Sequence, residues 1–119
     1  MISILSHFLR SVQYALHGLR VTFRTEQNFR VQIVAAVLVT IAMFLFPLSR
    51  SERVFLVLVM MIVLVLELVN TAVEKFVDFL RPRWHEEARI IKDILSGAVL
   101  VASVGAFLIG LFIFLPYIV

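Results

Sequence analysis

Val54 to Leu80 reads VFLVLVMMIVLVLELVNTAVEKFVDFL, and two patterns are superposed in it. The residues from Val54 to Leu66 are all apolar. Glu67, Asn70, Glu74 and Asp78 then follow at spacings of three and four. On an α-helix each residue advances about 100°, so these four polar residues share a sector of about 80°. A carboxylate inside a membrane span costs roughly 2.5–3.5 kcal/mol on insertion scales. A helix that accepts this cost repeatedly on one face is using that face.

The rest of the chain has the same character. Apolar residues make up 62% of 119, and mean hydropathy is +1.06. Soluble domains sit nearer 45–50%, so the expected class is an all-α integral membrane protein. There is no cysteine, which excludes disulfides. The net charge of +3 would suit nucleic acid in a soluble chain. Here it reads as basic residues beside anionic lipid headgroups, and no nucleic-acid partner is expected.

Three stretches are long enough for a hydrocarbon core of about 30 Å. They are residues 31–48, closed by Pro47, 54–80, closed by Pro82, and 97–115, closed by Pro116. Ahead of them, residues 1–25 carry Ile2, Leu5, Leu9, Val12, Leu16 and Leu19 at helical spacing, with Arg10, Gln13, His17, Arg20 and Arg24 between. This pattern predicts an amphipathic helix on the membrane surface. No cleavable signal peptide is expected, because the basic residues run through that segment. Residues 1–119 read as a single membrane-embedded domain.

Ser49 to Arg53 is too short to do anything but join two spans as a hairpin. The segments flanking the hairpin therefore share one side. That side holds Arg10, Arg20, Arg24, Arg30, Arg81, Arg83, Arg89 and Lys92, against Arg50 and Arg53 on the other. The positive-inside rule then places the N-terminus and an Arg81–Ser96 loop in the cytosol. Residues 54–80 would extend about 40 Å, which puts Glu67 roughly 20 Å and Glu74 roughly 30 Å from the outer face. Glu26, Lys92 and Asp93 reach the same cytosolic boundary from neighbouring segments.

Carboxylates gathered there can hold Mg²⁺, a hard cation that keeps waters and substrate phosphates. A buried glutamate can serve as general base toward a hydroxyl. Lys92 and the arginines can neutralise phosphate. These parts suit phosphoryl transfer from Mg·ATP to a hydroxyl at the membrane surface. No Walker sequence or Gly-rich loop is present, and there are four glycines in all. Two other readings stay open on the residues alone. One is an intramembrane proton or cation pathway through the same carboxylates. The other is polar adhesion between helices through Asn70 and Thr71.

The run ELVNTAVEKFVD from Glu67 resembles the E-[LI]-x-N-[ST]-A-[IV]-E-x-x-V-D signature of the prokaryotic diacylglycerol kinase family. Ala15 to Gln32 (ALHGLRVTFRTEQNFRVQ) resembles a second stretch of that family, and Lys92-Asp93 before ILSGAVL a third. The resemblance implies an ATP- and Mg²⁺-dependent lipid kinase of the bacterial inner membrane. Its acceptor would be the primary hydroxyl of diacylglycerol or undecaprenol. It also implies a homotrimer with a surface helix and three spans per chain. Under it Glu67 would be the catalytic base. Glu26 and Glu74 would hold the metal. Tyr14, Glu26, Asn70, Glu74, Asp78, Trp84, His85, Lys92 and Asp93 would bind ATP, and Ser96 would join Glu67 at the lipid substrate. A family arginine before the surface helix falls at His7 here, with Arg10 one turn later. E-x-N-F-R and GAVL are closer to the undecaprenol kinase branch.

Overall fold

The computed structural model describes residues 1–80 and 85–119, with His85 described by its backbone alone. Four helices follow one another: α1 (Ile2–Thr25), α2 (Gln27–Leu45), α3 (Arg50–Leu80) and α4 (His85–Ile118). The last three are long and apolar enough to cross a membrane. α3 is the central element. It packs against both α2 and α4, while α1 touches α2 and α3 at their polar ends.

A single residue separates α1 from α2. Glu26 is extended (φ −114°, ψ 110°), and its N–H still donates to Thr22 O at 2.9 Å. The carbonyls of a last helical turn have no partner within the helix. Here Arg30 reaches back from α2 and donates through Nη1 to Phe23 O (2.7 Å) and Arg24 O (3.0 Å). The guanidinium thereby caps α1 and sets the angle at which α2 leaves it.

The α2–α3 turn is fastened more heavily. Ser49 N–H donates to Glu52 Oε1 at 2.8 Å, and Glu52 N–H donates to Ser49 Oγ at 3.2 Å. This reciprocal pair is a capping box. It starts α3 at Arg50, so the expected span 54–80 is in fact a helix over Arg50–Leu80. The basic residues assigned to the link belong to the first helical turn. Arg53 then donates through Nε and Nη2 to Met43 O, the carbonyl left open by the end of α2 (3.3 and 3.2 Å). The first span likewise shifts from the expected 31–48 to Gln27–Leu45. Its polar first turn is helical although hydropathy does not mark it, and Phe46 is already extended.

α4 differs most from expectation. Hydropathy predicts a helix over residues 97–115 and a loop over Arg81–Ser96. Instead the helix runs from His85 through the charged stretch that contains Glu86, Glu87, Arg89, Lys92 and Asp93. Hydropathy marks where a helix is apolar, not where its hydrogen bonds begin. Glu86 and Glu87 in the first turn also suit the positive end of the helix dipole. Pro116 does not stop α4 but sits in its last turn, and the helix continues to Ile118. A proline lacks the N–H that would return to the carbonyl four residues back, so Phe112 O receives no helical bond from position 116.

The apolar core lies at the hairpin end. Met43, Leu48, Leu56 and Ile113 are buried together. Phe46 meets Phe114 edge-on at 5.5 Å between ring centroids. Tyr117 Oη donates to Glu52 Oε1 at 2.6 Å, joining the end of α4 to the start of α3. From this point a groove of about 450 Å³ runs along α3 between α2 and α4. Leu56→Ala is expected to leave an unfilled space in this core and cost about 2 kcal/mol or more. A lowered unfolding midpoint in detergent, with the specific activity of the folded fraction retained, is the outcome to measure.

Candidate active site

The polar face of α3 turns inward. Glu67 is 1% exposed, and Asn70 and Thr71 are buried beside it. Spacings of three and four put them on one side, and burial of a carboxyl group demands donors. Asn70 Nδ2 supplies one to Glu67 Oε2 at 3.3 Å and another to Glu74 Oε1 at 2.7 Å. The amide therefore links two carboxylates along one helix. Thr71 Oγ1 donates to the main-chain oxygen of Glu67 at 2.9 Å.

The remaining oxygen of Glu67 is held from another helix. Gln32 Nε2, on α2, donates to Oε1 at 3.2 Å. Gln32 is not among the site residues expected from the sequence. Its signal is a lone amide in the apolar run VQIVAAVLV. Such a group is expensive in a span and rarely without purpose.

Glu26 stands at the break between α1 and α2, half-buried. Both its charge and that of Glu74 act on Glu67, so three carboxylates share one neighbourhood. Among the described residues, no three His, Asp or Glu side chains converge as ligands of one ion. A cation there would be held by fewer protein ligands, with waters or phosphates completing its shell. That arrangement suits Mg²⁺.

Further along α3, Asp78 Oδ1 pairs with Lys92 Nζ at 2.7 Å, joining α3 to the charged start of α4. Both side chains are partly open to solvent. Tyr14, Asp93 and Ser96 are exposed and lie outside the hydrogen-bonded network of Glu67. Trp84 lies outside the described residues, and at His85 only the helical backbone is described. The structure thus joins Glu67, Asn70 and Glu74 directly, places Glu26 near them, and pairs Asp78 with Lys92.

Comparison with known proteins gives this arrangement its class. Residues 13–114 match the sequence profile of the family described as prokaryotic diacylglycerol kinase. The chain is 41% identical over 112 residues to an undecaprenol kinase of Bacillus subtilis (strain 168), covering 94% of this chain and 91% of that protein. It is 38% identical over 111 residues to a diacylglycerol kinase of Synechocystis, covering 92% of this chain and 63% of that longer relative. A diacylglycerol kinase of Escherichia coli (strain K12) is 31% identical over 101 residues, 85% of this chain and 83% of its own. The chain belongs to the prokaryotic diacylglycerol kinase family. It is a membrane protein and a lipid kinase.

The Asp78–Lys92 pair is solvent-accessible, and exposed pairs contribute roughly 0–1 kcal/mol. Lys92→Met is therefore expected to change folding stability by about 1 kcal/mol or less. Denaturation in mixed micelles reads this directly, and any larger effect of the substitution should appear in activity instead.

Proposed function

We infer that this kinase transfers the γ-phosphate of Mg·ATP to the primary hydroxyl of a membrane lipid, diacylglycerol or undecaprenol. The observation that carries this reading is the buried carboxylate of Glu67, with each oxygen held by an amide and Glu74 about two turns away along the same helix. A carboxylate has about four lone-pair sites, so two amide bonds leave room for a hydroxyl proton. Glu67 takes that proton as the hydroxyl oxygen bonds to the γ-phosphorus. The bond to the ADP oxygen breaks, and ADP leaves with the electron pair.

Glu26 and Glu74 fit the metal by the chemistry of their donors. Both offer hard carboxylate oxygens, and Mg²⁺ needs one or two such ligands beside substrate phosphates. Glu74 accepts from Asn70 through Oε1, and its carboxylate would still have capacity to hold the ion. Bound Mg²⁺ would neutralise charge on the transferring phosphoryl group. Tyr14, Asn70, Asp78, Trp84, His85, Lys92 and Asp93 would bind the nucleotide around it, with Ser96 toward the lipid.

The same reading sets the chain in the bacterial inner membrane, with the N-terminus and residues 81–96 facing the cytosol and ATP. α1 would lie along that surface. Its exposed Ile2, Leu5, Phe8 and Leu9 support burial in the interface. Three copies would enclose the nucleotide more fully than one chain does.

The deciding experiment is transfer from γ-labelled ATP in lipid–detergent micelles, with diacylglycerol and undecaprenol side by side. Labelled lipid in either tube is expected, and the faster tube identifies the acceptor. No label in both, with folded protein and Mg²⁺ present, overturns the reading. Glu67→Gln should lower kcat by about 10²–10⁴-fold, the usual worth of a general base. Glu26→Gln and Glu74→Gln should each move the Mg²⁺ titration upward by about tenfold or more; unchanged titrations would remove those residues from the metal site.

A further inference from the structure

Gln32 lies in the second turn of α2 and lines the polar end of the groove between α2, α3 and α4. Its neighbours on that wall, Ala35, Ala36 and Val39, are apolar. Gln32 Nε2 donates to Glu67 Oε1 at 3.2 Å. Its own Oε1 is buried and has no hydrogen-bond partner among the described residues. An unpaired buried oxygen is unfavourable, and such groups in folded proteins call for an explanation. A residue needed only for packing would carry no amide here. The penalty on the oxygen therefore points to a use for the NH₂ group, and the group it serves is Glu67.

Asn70 and Gln32 act on Glu67 in different ways. Asn70 holds Oε2 from within α3 and moves with that helix. Gln32 holds Oε1 from α2, 35 residues away in sequence. The terminal torsion of a glutamate is broad and roughly two-fold. Two donors arriving from two helices select one carboxylate orientation and tie it to the α2–α3 spacing.

We propose that Gln32 is a positioning residue, aiming the Glu67 carboxylate at the acceptor hydroxyl without touching ATP or the metal. This rests on the reading of Glu67 as proton acceptor. Gln32→Met keeps the length and straight shape of the side chain and removes the donor. A group misplaced by about 1 Å can cost about a hundredfold in rate. The expected result is a kcat lowered about ten- to a hundredfold, with KM for ATP and for lipid held within about twofold of wild type. The unfolding midpoint should stay near that of wild type.

The measurement is steady-state transfer from γ-labelled ATP by purified wild type and variant in the same micelles, alongside thermal unfolding. A kcat within about twofold of wild type overturns the proposal. So does a lower unfolding midpoint with full turnover in the folded fraction, which would make Gln32 an adhesive between helices. Gln32→Leu carries the same test if the methionine variant does not fold. Wild-type protein that transfers no label would strike the parent reading of Glu67, and the inference falls with it. Active wild type with an unaffected variant strikes the inference alone.

Discussion

A carboxyl group that is almost wholly buried, on a helix long enough to cross a membrane, has no water to satisfy it. Glu67 must find its donors within the protein, and it finds them on two helices. That requirement governs much else. It sets the rotation of α3, because Glu67, Asn70 and Thr71 must all face inward. It sets the register of α2 against α3, because Gln32 has to arrive level with Glu67. The apolar residues tolerate small slides with little loss, since lipid and side chains are alike as surroundings. The hydrogen bonds do not, because their distances are narrow.

The two ends of the bundle are held by different forces. At the hairpin end the capping box, the Arg53 bonds to Met43 O, the Phe46–Phe114 contact and the Tyr117–Glu52 bond fasten three helices together. At the other end buried Phe29, Val77 and Ala88 sit beside polar and charged contacts. The Glu67 network, Glu26 and the Asp78–Lys92 pair all lie there. The groove along α3 runs from Leu56 and Phe114 to Gln32, with Ser103 the other polar side chain on its otherwise apolar wall.

Such a scaffold is small for a kinase, and the chemistry explains why it suffices. Phosphoryl transfer needs little covalent participation from the protein. It needs positioned oxygens, neutralised charge and a place for one proton. In the proposed reading, side chains on the inner face of α3 and Glu26 at the α1–α2 break, with a bound Mg²⁺, would meet that list. Membership of the prokaryotic diacylglycerol kinase family and the proposed role of Glu67 are thus consistent with one physical picture.

Much of this was readable without coordinates. Apolar run lengths determine that three helices can cross a membrane, and the spacing of Glu67, Asn70, Glu74 and Asp78 determines that they share a face. Both are local properties, set by the rise and turn of one helix. Helix ends were less legible. The start of α3 depends on a bond between Ser49 and Glu52, the end of α2 on Arg53, and the start of α4 lies in residues that hydropathy scores as loop. The Gln32–Glu67 bond was not legible at all. Residues 35 positions apart meet only because the turn and the packing of α2 on α3 bring them level, and no local pattern encodes that distance. Run length and local periodicity are enough for the membrane class, for the helices among the described residues and for the polar face of α3. Which amide holds the buried carboxylate emerges only on packing, because a long-range hydrogen bond exists only once two helices have settled on a common register.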